Sequence, residues 1–198
     1  MSTGTGRTLS AVAVLTLLVT GCTSSEPQTI SQGVVSMTLK ATGAIPSGAP
    51  SPAAGIAADM GSGPSAVTIV VAGVSARTTD GTWIPLAGTY PQTIDLLALV
   101  HGGGGVSLPA DGLPEGSYDA LQVTISSATI TLQDGTIIAI TPPGNGWQVL
   151  IPVAFEVGAG QETKITLDLK CDASFHLANG QFRFDPDIEV DQVQSGRH

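Results

Sequence analysis

Hydrophobic side chains recur at every second position of this chain, in short runs cut by Asp-Gly pairs, and that pattern leaves little room for anything but antiparallel strands. Val35, Met37 and Leu39 alternate with Ser36, Thr38 and Lys40, which predicts a strand with one buried face starting near Gly33. Val67, Ile69 and Val71 repeat the pattern up to Thr79-Asp80-Gly81-Thr82, where Asp-Gly favours a tight hairpin turn, and Trp83, Ile84 and Leu86 return from it. A second hairpin is clearer, because Ala128, Ile130 and Leu132 lead into Asp134-Gly135 and are followed by Ile138 and Ile140. Leu121, Val123 and Ile125 fall on odd numbers while Ala128, Ile130 and Leu132 fall on even ones. The phase therefore changes at Ser126-Ser127, which predicts a bulge or a strand break there. Later strands are expected over Trp147 to Val157, Thr163 to Leu169 and Phe182 to Val190. No segment shows convincing helical periodicity, and strands at this spacing predict an all-β antiparallel β-sandwich or a barrel.

Between the first two strands, residues 41–65 are rich in Ala, Gly, Pro and Ser, with Pro46, Pro50 and Pro52 close together. Neither helix nor strand continues easily through such a run, so a long insertion is expected. At the other end, residues 194–198 read as a frayed tail. This gives a domain over 33–193, preceded by a polar, aperiodic tether over 22–32.

The start of the chain has a different character. An apolar run from about Leu9 to Val19 follows a polar stretch whose only basic side chain is Arg7. It is shorter than the roughly 20 apolar residues that cross a bilayer, and fits a cleaved secretory signal over residues 1–21. Val19-Thr20-Gly21-Cys22 ends it, and here the sequence resembles the lipobox of bacterial lipoproteins, whose cysteine is lipidated before cleavage. Cys22 is then the lipidation site and Val19, Thr20 and Gly21 its lipobox. Thr23 and Ser24 follow rather than Asp, as in lipoproteins sent to the outer membrane where the organism has one. The expected location is extracytoplasmic and membrane-anchored.

Removal of Arg7 with the signal leaves six basic against sixteen acidic residues, so the formal charge moves from −9 to −10. A domain this acidic repels nucleic acid and anionic headgroups, so nucleic acid is excluded as a partner and a protein or glycan is expected. With Cys22 lipidated, Cys171 is the remaining thiol. It reads as a small buried hydrophobe rather than part of a disulfide framework.

Three runs extend the resemblance to the domain. They are Thr93-Ile94-Asp95-Leu96-Leu97-Ala98-Leu99, Leu113-Pro114-Glu115-Gly116-Ser117-Tyr118 and Ile165-Thr166-Leu167-Asp168-Leu169. In order and spacing they resemble the domain of unknown function 4382 family of bacteria and archaea, from about Gly33 to Val190. The resemblance implies a transthyretin-like or immunoglobulin-like sandwich, often carried on lipoproteins, with no activity attached. This chain departs from the family pattern twice. An Asp-Ala-Pro turn after the first strand is replaced by the insertion, where only Asp59 could be its counterpart. A second acidic residue after the Leu-Asp-Leu run is replaced by Lys170.

Three groups of residues invite a chemical reading. His101-Gly102-Gly103-Gly104-Gly105 resembles the oxyanion-hole motif of lipases, but no Gly-x-Ser-x-Gly elbow accompanies it, so a glycine loop after a strand from Leu96 to Val100 is expected. Asp185, Asp187, Glu189 and Asp191 would share one side of a strand, with carboxylates about 6.6 Å apart along it. Asp185, Asp187 and Glu189 are thus candidate Ca²⁺ ligands, although a straight strand spreads them too far for one ion to collect more than two, and an exposed face that deters edge pairing is the favoured reading. His101, His176 and His198 lack zinc-ligand spacing, though His101 and His176 could meet in space. Glycan stacking would fall to Trp83 and Trp147, each set in a strand pattern that favours a core role. No matched nucleophile and base is present, so a non-catalytic binding or structural module is expected. A glycan-binding or Ca²⁺-stabilised adhesion domain is the alternative and a hydrolase the second alternative.

Overall fold

The computed structural model describes residues 32–46, 63–110, 112–178 and 181–197. The signal segment, Val19 to Cys22, Asp59 and His198 lie outside these residues. In chain order, β1 (Gln32–Thr42), β2 (Pro64–Thr78), β3 (Trp83–Pro85) and β4 (Gln92–Asp95) lead into helix α1 (Leu96–Gly102). Strands β5 (Gly105–Leu108), β6 (Leu113–Pro114), β7 (Gly116–Leu132), β8 (Ile137–Ile140) and β9 (Trp147–Val157) follow. After β10 (Gln161–Lys170) come a short helix α2 (Cys171–Ser174) and strands β11 (Phe175–Ala178), β12 (Gln181–Phe184) and β13 (Ile188–Arg197).

Two sheets form the sandwich. One is ordered β13-β10-β1-β5, with β6 also on β1. In the other, β2 and β7 run antiparallel along most of their length, flanked by β3 and β4 on β2 and by β8 and β9 on β7. The all-β sandwich is as the alternation predicts, with one addition: β1 and β10 pair in parallel, from Val34 opposite Glu162 to Thr42 opposite Lys170. Both strands turn odd-numbered residues inward. Val35, Met37 and Leu39 join Ile165, Leu167 and Leu169 in a single buried cluster with Ile69, Val71, Val123 and Ile125 of the facing sheet.

Both Asp-Gly hairpins form as expected. The Asp134 carboxylate accepts from the Thr136 N–H at 2.8 Å, and the Asp80 carboxylate accepts from the Thr82 N–H and from the Thr78 hydroxyl. The phase change at Ser126-Ser127 is a bulge. Val70 lies opposite Ser127 and Val71 opposite Ile125, leaving Ser126 as the extra residue. Here β7 also changes neighbours, since Ala128 pairs with Ile140 of β8 and Ile125 with Trp147 of β9. β8 and β9 thus follow one another along a single edge, with residues 141–146 looped out between them.

The Leu-Pro-x-Gly-x-Tyr run proves to be a fastening. Tyr118 donates its hydroxyl to the Pro114 carbonyl at 2.8 Å and stacks on Phe155 at 5.0 Å, in the manner of the tyrosine corner of immunoglobulin-type sandwiches. Gly116 between them takes φ +153°, a backbone conformation that side chains rarely adopt.

Four sequence expectations need correction. The strand expected over Leu96 to Val100 is helix α1. Asp95 caps it by accepting from the N–H groups of Leu97 and Ala98, and Gly103 ends it at φ 61° with its N–H on the Leu99 carbonyl. The single strand expected over Phe182 to Val190 breaks at Asp185-Pro186-Asp187. Pro186 has no N–H to give a ladder, and its neighbours turn to Ser174 instead: Asp185 N–H donates to its carbonyl and Asp187 N–H to its hydroxyl. The insertion is shorter at both ends than 41–65, because β1 reaches Thr42 and β2 begins at Pro64. The frayed tail is strand as far as Arg197, held by pairing with β10.

Candidate functional site

A cavity of about 810 Å³ lies between β8 and β12 and includes His176 of β11 in its wall. Its position follows from aromatic packing. Phe184 meets Trp147 edge-on at 5.0 Å and Phe175 at 4.6 Å, which holds the β11–β12 hairpin against the sandwich beside the β8 edge. With Phe182 and Phe184 buried, the alternation of β12 turns Gln181 and Arg183 outward, and Asp185 just past its end is also exposed. His176 is the cross-strand partner of Arg183. Ile138, Ile140, Phe182 and Phe184 supply the apolar part of the lining, and His176, Arg183 and Asp185 the charged and titratable part.

Arg183 was not singled out by the sequence. The available signal is that it is the one Lys or Arg between Lys170 and Arg197, in a stretch that carries Asp172, Asp185, Asp187, Glu189 and Asp191.

The acidic residues proposed for Ca²⁺ are dispersed. Asp185 and Asp187 sit in the connector, while Glu189 lies on β13 opposite Asp168. Asp191 occupies a bulge of β13 and receives the Lys40 ammonium at 2.9 Å. Asp168 itself is only 5% exposed. It accepts the Thr42 hydroxyl at 3.0 Å and the Lys170 ammonium at 2.7 Å. Lys170 is held above the usual lysine range, first by that hydrogen bond and then by the charges of Asp168, Glu189 and Asp191. A lysine thus neutralises the carboxylates from within the sheet. Among the described residues, no group of three or more His, Cys, Asp or Glu side chains is gathered for a metal ion.

His101, at the end of α1, lines a separate cavity of about 430 Å³ with Ile45, Leu97 and Val100, so it does not share a site with His176. Gly102 and Gly103 finish and cap the helix. Trp147 is in the core, as expected. Trp83 is not: it is 38% exposed, with the Arg77 guanidinium 5.6 Å from its ring centroid and that guanidinium bonded to Asp119 at 2.7 Å. The Asp-Gly turn sets the register, placing Ile84 opposite buried Ala76 and Trp83 opposite Arg77 on the outer side.

The thiol of Cys171 and the hydroxyl of Tyr90 are tied into the fold. Burial pushes the Cys171 thiol up to about 12, with Asp168 and Asp172 adding to the effect. Burial likewise takes Tyr90 up to about 12, and its hydroxyl donates to the Pro109 carbonyl at 2.7 Å.

The family described as Domain of unknown function (DUF4382) matches residues 58–186. This chain belongs to the DUF4382 family. The match takes in every strand from β2 to β12, including the Tyr118 fastening and the β8–β12 cavity, while β1 and β13 fall outside it. No curated protein and no solved structure matches the chain.

Proposed function

We propose that this protein is a lipid-anchored envelope lipoprotein whose DUF4382 sandwich is a non-catalytic binding or structural module. The observation that carries the reading is Val19-Thr20-Gly21-Cys22, directly after an apolar run too short to span a bilayer and ahead of an all-β domain. Several acyl chains on Cys22 would supply the attachment, since one chain holds only marginally. Among the described residues no helix is long and apolar enough to cross a membrane. The non-catalytic part draws support from the way reactive groups are engaged: Cys171 is a buried neutral thiol, Tyr90 and Tyr118 donate to carbonyls, and Asp168 is bonded to Lys170.

Globomycin, which blocks the lipoprotein signal peptidase, should leave an unprocessed precursor, and Cys22→Ala should abolish acyl labelling and retention in the membrane fraction. Unchanged processing and retention in both experiments would defeat the anchor. Turnover of ester or glycoside substrates that follows the protein through purification would defeat the non-catalytic reading.

A further inference from the structure

We infer that the cavity between β8 and β12 receives an extended, carboxylate-bearing peptide segment of a partner protein, which pairs with the strand edges and places its carboxylate on Arg183. This rests on the reading of the domain as a binding module and names its partner chemistry.

The backbone is the first reason. β8 has β7 as its strand partner and β12 has β11, so among the described residues each is the edge of its sheet. A strand edge presents N–H and C=O groups that seek a partner, and here two edge strands flank one cavity of about 810 Å³. That volume lies within the range of ligand sites, and an extended peptide is the ligand that uses an edge by adding a strand. Phe184, fixed between Trp147 and Phe175, keeps β12 in place before any partner arrives. Leu177 on β11 and Ile137 on β8 are exposed as well, so the strands around the cavity offer apolar surface beside it.

Charge supplies the second reason. Lys40 is paired with Asp191, Arg77 with Asp119, Lys164 with Glu162 and Lys170 with Asp168. Arg183 has no carboxylate partner among the described residues, in a chain of formal charge −9. A guanidinium fork left open in this way matches a carboxylate with two parallel hydrogen bonds. Asp185, two residues further on, repels a carboxylate and accepts N–H donors. The peptide's acid is therefore directed toward Arg183 and away from Asp185.

The test uses the full chain in mild detergent and a set of fluorescein-labelled heptapeptides of alternating Thr and Val, with Glu either central or at the carboxyl end. Anisotropy should show saturable binding, and backbone amide shifts should concentrate at residues 138–141 and 181–185. Arg183→Gln should weaken binding about tenfold or more while leaving the melting curve in place, and replacing the peptide Glu by Gln should have a comparable effect. Methylation of the peptide's backbone nitrogens should also abolish binding, because it removes the strand pairing that simple ion pairing does not need. The inference is overturned if none of the peptides binds at millimolar concentration, if Arg183→Gln binds as tightly as the parent, or if the shifts fall elsewhere. It is equally overturned if galacturonate oligomers bind through Arg183 while the peptides do not. Peptide cleaved during the assay would instead count against the non-catalytic reading, and loss of membrane retention against the anchor alone.

Discussion

On the outer side of the β10 sheet, Lys170 reaches buried Asp168 at 2.7 Å and Lys40 reaches Asp191 at 2.9 Å, so acids and bases there satisfy one another. On the β11–β12 hairpin that follows β10 and α2, Arg183 borders the cavity of about 810 Å³ with no carboxylate partner among the described residues. The two patches use the same residue types and differ in whether the charge is closed within the fold. A closed charge contributes to stability and has little left to offer a ligand. An open one contributes little to stability and keeps its hydrogen bonds for a partner. The contrast also accounts for the acidic C-terminal strand, where Lys170 supplies the positive charge that a bound cation would otherwise bring.

The comparison can be broken most severely at its hinge. Phe184→Ala removes the ring packed on Trp147 and Phe175, and should cost about 3–5 kcal/mol in urea denaturation while displacing the hairpin that carries Arg183. Asp168→Ala is the next largest. It deletes a buried acceptor that serves two donors, one of them an ammonium, and should cost about 2 kcal/mol while leaving the β8–β12 cavity and its peptide binding untouched. A cost near zero would mean that the closed patch is not closed in solution.

Alkali tests the groups closed within the fold more gently. The Cys171 thiol is raised from 9.0 to about 12 and Tyr90 from 10.0 to about 12, and Lys170 is raised as well. A group whose pKa is higher in the folded state binds its proton more tightly there. Its contribution to stability is full below the unfolded pKa and is lost as pH rises toward the folded one. Stability should therefore decline above about pH 9. Whatever Cys171→Ala costs at neutral pH, its stability should stay flat until about pH 10, where Tyr90 begins to contribute. A decline that still starts near pH 9 in that variant would remove Cys171 from this account.

Much of the scaffold is legible because burying one face of a strand writes period two into the sequence, and the slip at Ser126-Ser127 marks a bulge or break where the structure has the bulged Ser126. Helix α1 is hidden in the sequence since Leu96 to Val100 is an unbroken apolar run, without period of any kind; Asp95 and Gly103, its caps, are the usable signal. The outward position of Trp83 is not legible because a three-residue strand is too short to declare its phase, which the turn at Asp80-Gly81 decides. The parallel pairing of β1 with β10 left no local mark, as either direction buries the same residues. Asp168 and Lys170, two apart on one strand, could have been matched from sequence. The Arg183 cavity could not, because it depends on aromatic packing between β12 and β9, two strands that do not pair.

The smallest expected effect belongs to the open patch. Arg183→Gln exchanges an exposed side chain that has no carboxylate partner among the described residues, so it should change stability by no more than about 0.5 kcal/mol. Gln181→Glu goes the other way: unlike Asp185, which lies past the end of β12, it sets a carboxylate within the strand two residues from Arg183 on the same face and gives the guanidinium a partner within the fold. A surface pair of that kind contributes about 0.2–1 kcal/mol, so a small gain in the urea midpoint is expected. The gain should vanish when Arg183→Gln is added to Gln181→Glu, since the double variant has no cation left to pair. If Gln181→Glu instead gains as much with Gln at 183 as with Arg, the new carboxylate is acting on something other than the guanidinium, and Arg183 is not the open charge that the contrast requires.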